Sequence, residues 1–312
     1  MLLLFIVIFS HRVFINSDFV NGNAQINNNA SPVNFVIWHG LLDGCCNQSS
    51  RVFIEYNLKK YIDNANVYSI GENRNSVIDI MATVFGDMNE QVRVACSYLQ
   101  NIESIRKHGY HAIGLSQGSQ FHRGLLQRCT NLTVHSLVTI GGQHHGVYGI
   151  PHCSYKFSFC RLLRDIVDKF TNTKCLQSFL IQAQYWHSPK RNHTLYKKAS
   201  SYLADINQEI CVNKQYRERM ASLKKFVMIT FEDDQLVDPV ISGAFGYYLN
   251  ETTVVSMEYL QTWESLSLKQ LNSTGRLFCE IAKLKRSRKF GQRIVEQLNL
   301  KNEKTIFKTT WK

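Results

Sequence analysis

No histidine follows His193, so nothing from there to Lys312 can supply an imidazole. No apolar run approaches the ~20 residues needed to cross a bilayer as a helix. The nearest, Leu2 to Phe9, is eight residues long. That length fits the apolar core of a secretory signal, although the basic residues that usually precede one are missing. Gly22 and Ala24 offer small residues for cleavage, so residues 1–24 are expected to be removed and the mature chain to start near Gln25. C-x-x-C pairs and zinc-like ligand spacing are both absent, so neither a structural metal nor a cofactor is expected. No nucleic-acid-binding motif occurs either, and a nucleic-acid partner is not expected.

The charge that is present is unevenly placed. The formal net charge is +12, and residues 283–312 carry ten Lys/Arg against two Glu, a net of +8. That stretch reads as a basic, solvated tail. Six N-x-S/T sequons begin at Asn29, Asn47, Asn131, Asn192, Asn250 and Asn272. Together with nine cysteines, an odd number, they point to an oxidising, secretory route in which most cysteines pair.

Gly114-Leu115-Ser116-Gln117-Gly118 follows the apolar run Tyr110 to Ile113 and opens onto a segment of helical character. G-x-S-x-G between strand and helix is a nucleophile elbow, in which a sharp turn lifts a serine hydroxyl above a sheet. Earlier, Val33 to Trp38 reads as a buried strand ending in His39-Gly40-Leu41, and Val67 to Ile70 as a second. Loops at strand C-termini line the ligand crevice of open α/β sheets, so the backbone N–H groups of Leu41 and Gln117 are the candidates for an oxyanion hole. Asn89 to His108 reads as one amphipathic helix, with Val92, Cys96, Leu99 and Ile102 on its apolar face. Strand, helix and elbow strand in succession favour a parallel sheet.

Leu137 to Ile140 is the next strand and ends in Gly141-Gly142-Gln143-His144-His145. Helical patterns follow at Phe157 to Phe170, Leu176 to Trp186 and Tyr202 to Leu223, an insertion of about residues 147–224. Phe157, Phe159, Phe179, Leu180 and Tyr185 are candidates for the wall of an apolar pocket. The sheet resumes at Phe226 to Phe231, followed by Glu232, Asp233, Asp234 and Asp238, which compete for the part of orienting acid. Val254 to Tyr259 reads as a small further strand. The fold class is α/β: a mainly parallel central sheet flanked by helices, one domain over about residues 32–300.

From about Pro32 to Leu277 the chain resembles the soluble palmitoyl-protein thioesterases, α/β-hydrolases of the lysosome. The resemblance is carried by Val36-Ile37-Trp38-His39-Gly40, Cys45-Cys46-Asn47, the elbow with Gln120-Phe121, Gly141-Gly142-Gln143-His144 and Gln184-Tyr185-Trp186-His187. It continues through Leu203-Ala204-Asp205-Ile206-Asn207-Gln208-Glu209 and Val237-Asp238-Pro239. It implies a glycosylated, lysosomal or secreted serine hydrolase that frees long-chain fatty acids from cysteine thioesters of proteins. Ser116 falls on the family's nucleophile, Asp234 on its acid, and Leu41 and Gln117 on its oxyanion hole. Asp238 then becomes a structural residue of the loop. Carried over in the same way, the disulfides are Cys45–Cys46, Cys96–Cys129 and Cys153–Cys160, leaving Cys175, Cys211 and Cys279 outside the pattern.

One departure is serious. The family's catalytic histidine position lands on Arg286, inside Lys283-Leu284-Lys285-Arg286-Ser287-Arg288-Lys289. Arginine stays protonated and cannot act as a base. Three explanations stand open: an acyl-binding protein that no longer turns over, a substitute base among His39, His144 and His145, or a C-terminal sequence that departs from the genuine transcript. A general lipase or carboxylesterase is the rival enzyme class.

Overall fold

The computed structural model describes residues 31–45, 50–72, 75–150, 158–190 and 193–282. The predicted signal segment, the basic tail with Arg286, and Cys46, Cys153 and Phe157 lie outside these residues.

Six strands form one sheet: β1 Val33–Trp38, β2 Ala65–Ile70, β3 Tyr110–Leu115, β4 Val134–Ile140, β5 Lys225–Phe231 and, at the end, Leu277–Ala282. A separate two-stranded ribbon, β6 Tyr247–Tyr248 with β7 Val254–Val255, precedes that last strand, which is therefore β8. The sheet order is β2-β1-β3-β4-β5-β8, and every pairing in it is parallel. This is the α/β architecture expected from the sequence.

Because both faces of the sheet are covered, the strands read as near-continuous apolar runs. The pleat sorts alternate residues into two cores. The chain passes through α1 Ser50–Tyr61 and α2 Ser76–Ala82 before α3 Met88–Gln100 and, beyond β3, α5 Gly118–Arg128; Val36, Trp38, Ala112, Leu137, Phe226 and Met228 pack with α3 and α5. Phe35, Ile37, Ile113, Val138, Val227 and Ile229 face the other way, onto Ile54 and Leu58 of α1.

The register decides where chemistry can occur. Trp38 pairs with Gly114, Leu115 with Ile140, Ile140 with Ile229 and Phe231 with Ala282. The C-terminal ends of β1, β3, β4, β5 and β8 therefore share one rim, and the loops carrying His39, Ser116, His144 and Asp234 all leave from it.

The predicted helices are more broken than their periodicity suggested. Asn89 to His108 is α3 followed by α4 Glu103–His108, with Ile102 in extended conformation between them. Leu176 to Trp186 divides at extended Leu180, which bridges to Phe85, into α7 Lys174–Phe179 and α8 Ile181–Gln184. These follow α6 Ser158–Thr171. Past α9 Thr194–Ala199, the third predicted helix yields only α10 Leu203–Ile206 and α11 Lys214–Ala221. Gln208 interrupts it with φ +55°, and its side chain is occupied by Ser265 O and Asn213 N. In the ribbon region, Val254–Val255 is the strand, and Met257–Tyr259 turns as a 3-10 helix.

The insertion is fastened to α5 at one end. Tyr202 Oη–H donates to Gln120 O at 2.8 Å, and Gln127 Nε2 donates to Ile206 O at 2.8 Å. The wholly buried Arg123 donates to His144 O at 2.9 Å and to Asn207 Oδ1. Cys96 and Cys129 form the predicted disulfide between α3 and the end of α5. Cys45 and Cys160 are also disulfide-bonded, their expected partners lying outside the described residues. Cys175, Cys211 and Cys279 are free thiols. Asn131, Asn250 and Asn272, three of the sequon asparagines, are exposed.

Candidate active site

The elbow forms as a sequence of forced steps. β3 ends at Leu115, Ser116 takes φ +50°, and α5 begins at Gly118. A serine in the left-handed region is uncommon and costs on the order of 1 kcal/mol; here the Ser116 N–H is held by Ile140 O at 2.8 Å and its carbonyl by Ser119 N at 2.9 Å. A Cβ on Gly118 would stand 2.4 Å from Trp38 O, so α5 can start this close to β1 only with glycine there. Ser116 remains partly exposed at the rim.

The loop after β1 closes on the serine. A Cβ on Gly40, the residue before Leu41, would lie 3.1 Å from Ser116 Cβ. The N–H groups of Leu41 and Gln117 donate to no acceptor among the described residues, as an oxyanion hole requires. One residue joins the two loops. Thr83 Oγ1 accepts the Leu42 N–H at 2.9 Å, and Thr83 O accepts Gln117 Nε2 at 3.2 Å. Sequence reading missed Thr83, because a loop threonine meeting partners 34 and 41 positions away leaves no local pattern.

Behind the same loop stands Asp79, fully buried, which was also missed. Its carboxylate accepts Cys45 N and Glu72 N at 2.6 Å each, and Oδ2 lies 3.3 Å from His39 Nε2. The last is a close electrostatic contact, too far off axis for a strong hydrogen bond. Burial pushes the Asp79 carboxyl upward, but His39 and the two N–H donors outweigh it and hold the group below the usual carboxylate range.

At the end of β5, Asp234 Oδ1 accepts Leu236 N at 2.8 Å and Val237 N at 3.1 Å, while Oδ2 takes no hydrogen bond among the described residues. The carboxylate is thus oriented by its own loop with one oxygen to spare. Glu232 and Asp233 are exposed. Asp238 packs against Gly149, where a Cβ would come within 2.2 Å of its carboxylate, and burial raises its pKa. That is the setting of a loop-building residue.

The three histidines considered as a substitute base are engaged elsewhere. His39 faces Asp79. His144 is wholly buried, stacks on Phe245 at 4.5 Å and meets Thr139 Oγ1 through Nε2 at 3.0 Å. His145 Nε2 meets Thr262 Oγ1 at 2.8 Å. Burial, with Arg123 adding to it, drives His144 far below the ordinary histidine range and His145 down to about 3. No imidazole is hydrogen-bonded to Ser116 among the described residues.

Of the apolar pocket candidates, Tyr185 is core, whereas Phe159 and Phe179 are exposed. Phe159 belongs to a stripe on α6 with Leu162, Ile166 and Phe170, all exposed at helical spacing. Phe179 lies beside Phe85, joined by Gly86 N to Phe179 O at 2.7 Å, and Phe85 is two residues from Thr83. Phe85 and Phe179 thus make an exposed apolar pair.

The chain is similar to several known proteins. The family model described as "Palmitoyl protein thioesterase" matches residues 34–284. The palmitoyl-protein thioesterase 1 of Caenorhabditis elegans is 36% identical over 258 residues, covering 81% of this chain and 86% of its own. A palmitoyl-protein thioesterase-dolichyl pyrophosphate phosphatase fusion from Schizosaccharomyces pombe is 34% identical over 81% of this chain and 41% of its own. The lysosomal thioesterase PPT2 of Bos taurus is 29% identical over 77% of this chain and 76% of its own. Among solved structures, a monoacylglycerol lipase from Paleococcus ferrophilus superposes with a TM-score of 0.45 at 12% identity, covering 86% of this chain and 95% of its own.

Proposed function

Because the chain belongs to the palmitoyl-protein thioesterase family, we propose that it hydrolyses long-chain fatty acyl thioesters of cysteine in proteins and peptides through an acyl-enzyme on Ser116. The observation that carries this reading is the serine held at positive φ with the Gly40–Leu41 loop packed against it. Ser116 Oγ attacks the thioester carbonyl, and the Leu41 and Gln117 N–H groups take the developing oxyanion. The cysteine sulfur leaves as the thiol, carrying the proton that Ser116 gave up; water then attacks the acyl-serine, one of its protons returns to Ser116 Oγ, and the free fatty acid departs. The exposed stripe of Phe159, Leu162, Ile166 and Phe170 with Phe85 and Phe179 offers the chain an apolar surface.

Both water and serine must lose a proton, and Asp234 is the carboxylate we assign to support an imidazole. The resemblance puts the family's imidazole position on Arg286. A second reading, acyl binding without turnover, is favoured by one specific observation: His39, His144 and His145 all make other contacts. Lysosomal breakdown of acylated proteins is the setting we propose, on the name of the bovine relative, the sequons and the apolar N-terminal run. No helix among the described residues is long and apolar enough to cross a membrane.

A fluorophosphonate probe with the folded full-length protein separates the readings. Labelling that disappears in Ser116→Ala, with release of palmitate from an S-palmitoyl peptide, supports the hydrolase. Palmitate affinity without labelling or turnover supports the binding protein. Preference for triglyceride or short oxygen esters overturns both in favour of a lipase or carboxylesterase.

A further inference from the structure

A second cluster of titratable groups takes no part in the reaction proposed above. His145, His187, His193, Lys197, Glu209 and Thr262 line a cavity of about 150 Å³ whose walls include none of Leu41, Ser116, Gln117 or Asp234. One ring nitrogen each of His145 and His187 and one carboxylate oxygen of Glu209 lie within 4.8 Å of one another.

The hydrogen bonds around the cluster fix which atoms remain available. His187 Nδ1–H donates to His145 O at 2.6 Å, which leaves the lone pair on Nε2. That atom is 3.9 Å from Glu209 Oε2 and 2.8 Å from His193 Nδ1. Glu209 Oε1 accepts both Asn207 Nδ2–H at 2.8 Å and Tyr196 Oη–H at 3.3 Å, while Oε2 accepts no hydrogen bond among the described residues. His145 Nδ1 is buried with no hydrogen-bond partner among the described residues. An imidazole oriented through Nδ1–H to a backbone carbonyl, beside a carboxylate oriented through its other oxygen, is the outer-shell arrangement of a metal site.

We propose that His187 Nε2, Glu209 Oε2 and a ring nitrogen of His145 bind a divalent transition-metal ion of the zinc class, with His193 Nδ1 as a fourth donor. Imidazole and carboxylate ligands sit about 2.0–2.2 Å from zinc, so the 3.9 Å between Nε2 and Oε2 admits one ion between them after a small contraction. The ion takes the place of the proton shared by His187 and His193, which moves to His193 Nε2 or to solvent. The nearest ammonium, Lys197, is only half-buried. No local sequence pattern announces such a site, since its donors come from three separate segments. The assignment is independent of whether Ser116 turns over.

The test uses the full-length protein, stripped with EDTA and titrated with cobalt(II) chloride and zinc chloride. The expected result is one cobalt per chain with visible d–d bands of a four- or five-coordinate site, displaced by one equivalent of zinc. Saturating zinc should raise the melting temperature by about 5 °C. Glu209→Gln, His145→Gln and His193→Asn should each weaken zinc binding at least tenfold. X-ray absorption of the zinc-loaded parent reports the ligands without any variant and should show nitrogen and oxygen only. The assignment is overturned by the absence of both cobalt bands and a zinc-dependent melting shift. It is equally overturned by sulfur in the coordination sphere, which would move the ion to the free cysteines, or by folded variants that bind zinc as the parent does.

Discussion

Gln117 hangs from Thr83: its Nε2 donates to the threonine carbonyl at 3.2 Å, and the same threonine's hydroxyl holds Leu42 N–H at 2.9 Å. The loops that carry Leu41 and Gln117 are thereby tied to one residue. Thr83→Val keeps the shape and removes the hydroxyl. We expect kcat to fall about tenfold with KM nearly unchanged, because the loss is felt where charge develops. Steady-state kinetics on an acyl thioester, with a melting curve to confirm the fold, checks this; a pure rise in KM would count against it.

Asp79 is the structural counterpart. Removing its carboxylate in Asp79→Ala takes away the acceptor of the buried Cys45 N–H and the half-buried Glu72 N–H, and leaves His39 without its negative neighbour. Each stranded donor costs on the order of 1–3 kcal/mol, so a loss of about 3 kcal/mol in urea unfolding is expected. Asp79→Asn should recover only part of it, since an amide can accept from one donor where the carboxylate now accepts from two.

Arg286→His asks whether the remaining machinery is intact. If Ser116, Asp234 and the oxyanion loops keep the family's geometry, turnover should rise by on the order of 10²–10⁴, the usual worth of a positioned acid–base group. A pH–rate profile should then acquire an ascending limb near the histidine pKa. No gain would show that the loss extends beyond one side chain.

Long-chain preference should rest on the α6 stripe. Leu162→Ser with Ile166→Ser should raise KM for a hexadecanoyl thioester several-fold and leave a butyryl substrate almost untouched. Each removes apolar contact worth roughly 1–3 kcal/mol when covered. Equal effects on both substrates would place the acyl chain elsewhere.

Acid should destabilise the fold. Burial lowers His111 to about 4, with His135 and Lys224 adding to it, and lowers His122 to about 3. The folded chain keeps both neutral, whereas the unfolded chain protonates them below about 6.5. Their contribution is present above pH 6.5 and is lost as pH falls toward 4 and 3, at up to about 1.4 kcal/mol per pH unit for each. Glu209, raised by burial to about 7, acts in the opposite sense between about 4.5 and 7. Urea midpoints measured from pH 7.5 to 5 should fall, and His122→Leu should flatten the slope by one proton's share.

The legible parts of this molecule were those with local signatures. Val33–Trp38, Tyr110–Leu115 and Lys225–Phe231 announced themselves as short apolar runs, and the G-x-S-x-G turn brought its strand and helix with it. What stayed hidden depends on contacts between distant loops: Thr83 beneath the oxyanion donors, Asp79 against His39, and the convergence of His145, His187 and Glu209. The error over Tyr202 to Leu223 has the same origin. Its apolar spacing is helical, but Gln208 at positive φ follows the demands of Ser265 and Asn213, which periodicity does not record.

The fastening of the insertion to α5 has a mechanical consequence. Tyr202, Arg123 and Gln127 tie the base of the insertion to the helix that begins two residues after Ser116. A wall bolted in this way cannot swing open at its root as a hinged lid without dragging the nucleophile with it. The binding surface is then permanently presented, and the rate should climb smoothly through the micelle-forming concentration of an acyl thioester, with no lag and no jump at the lipid–water boundary.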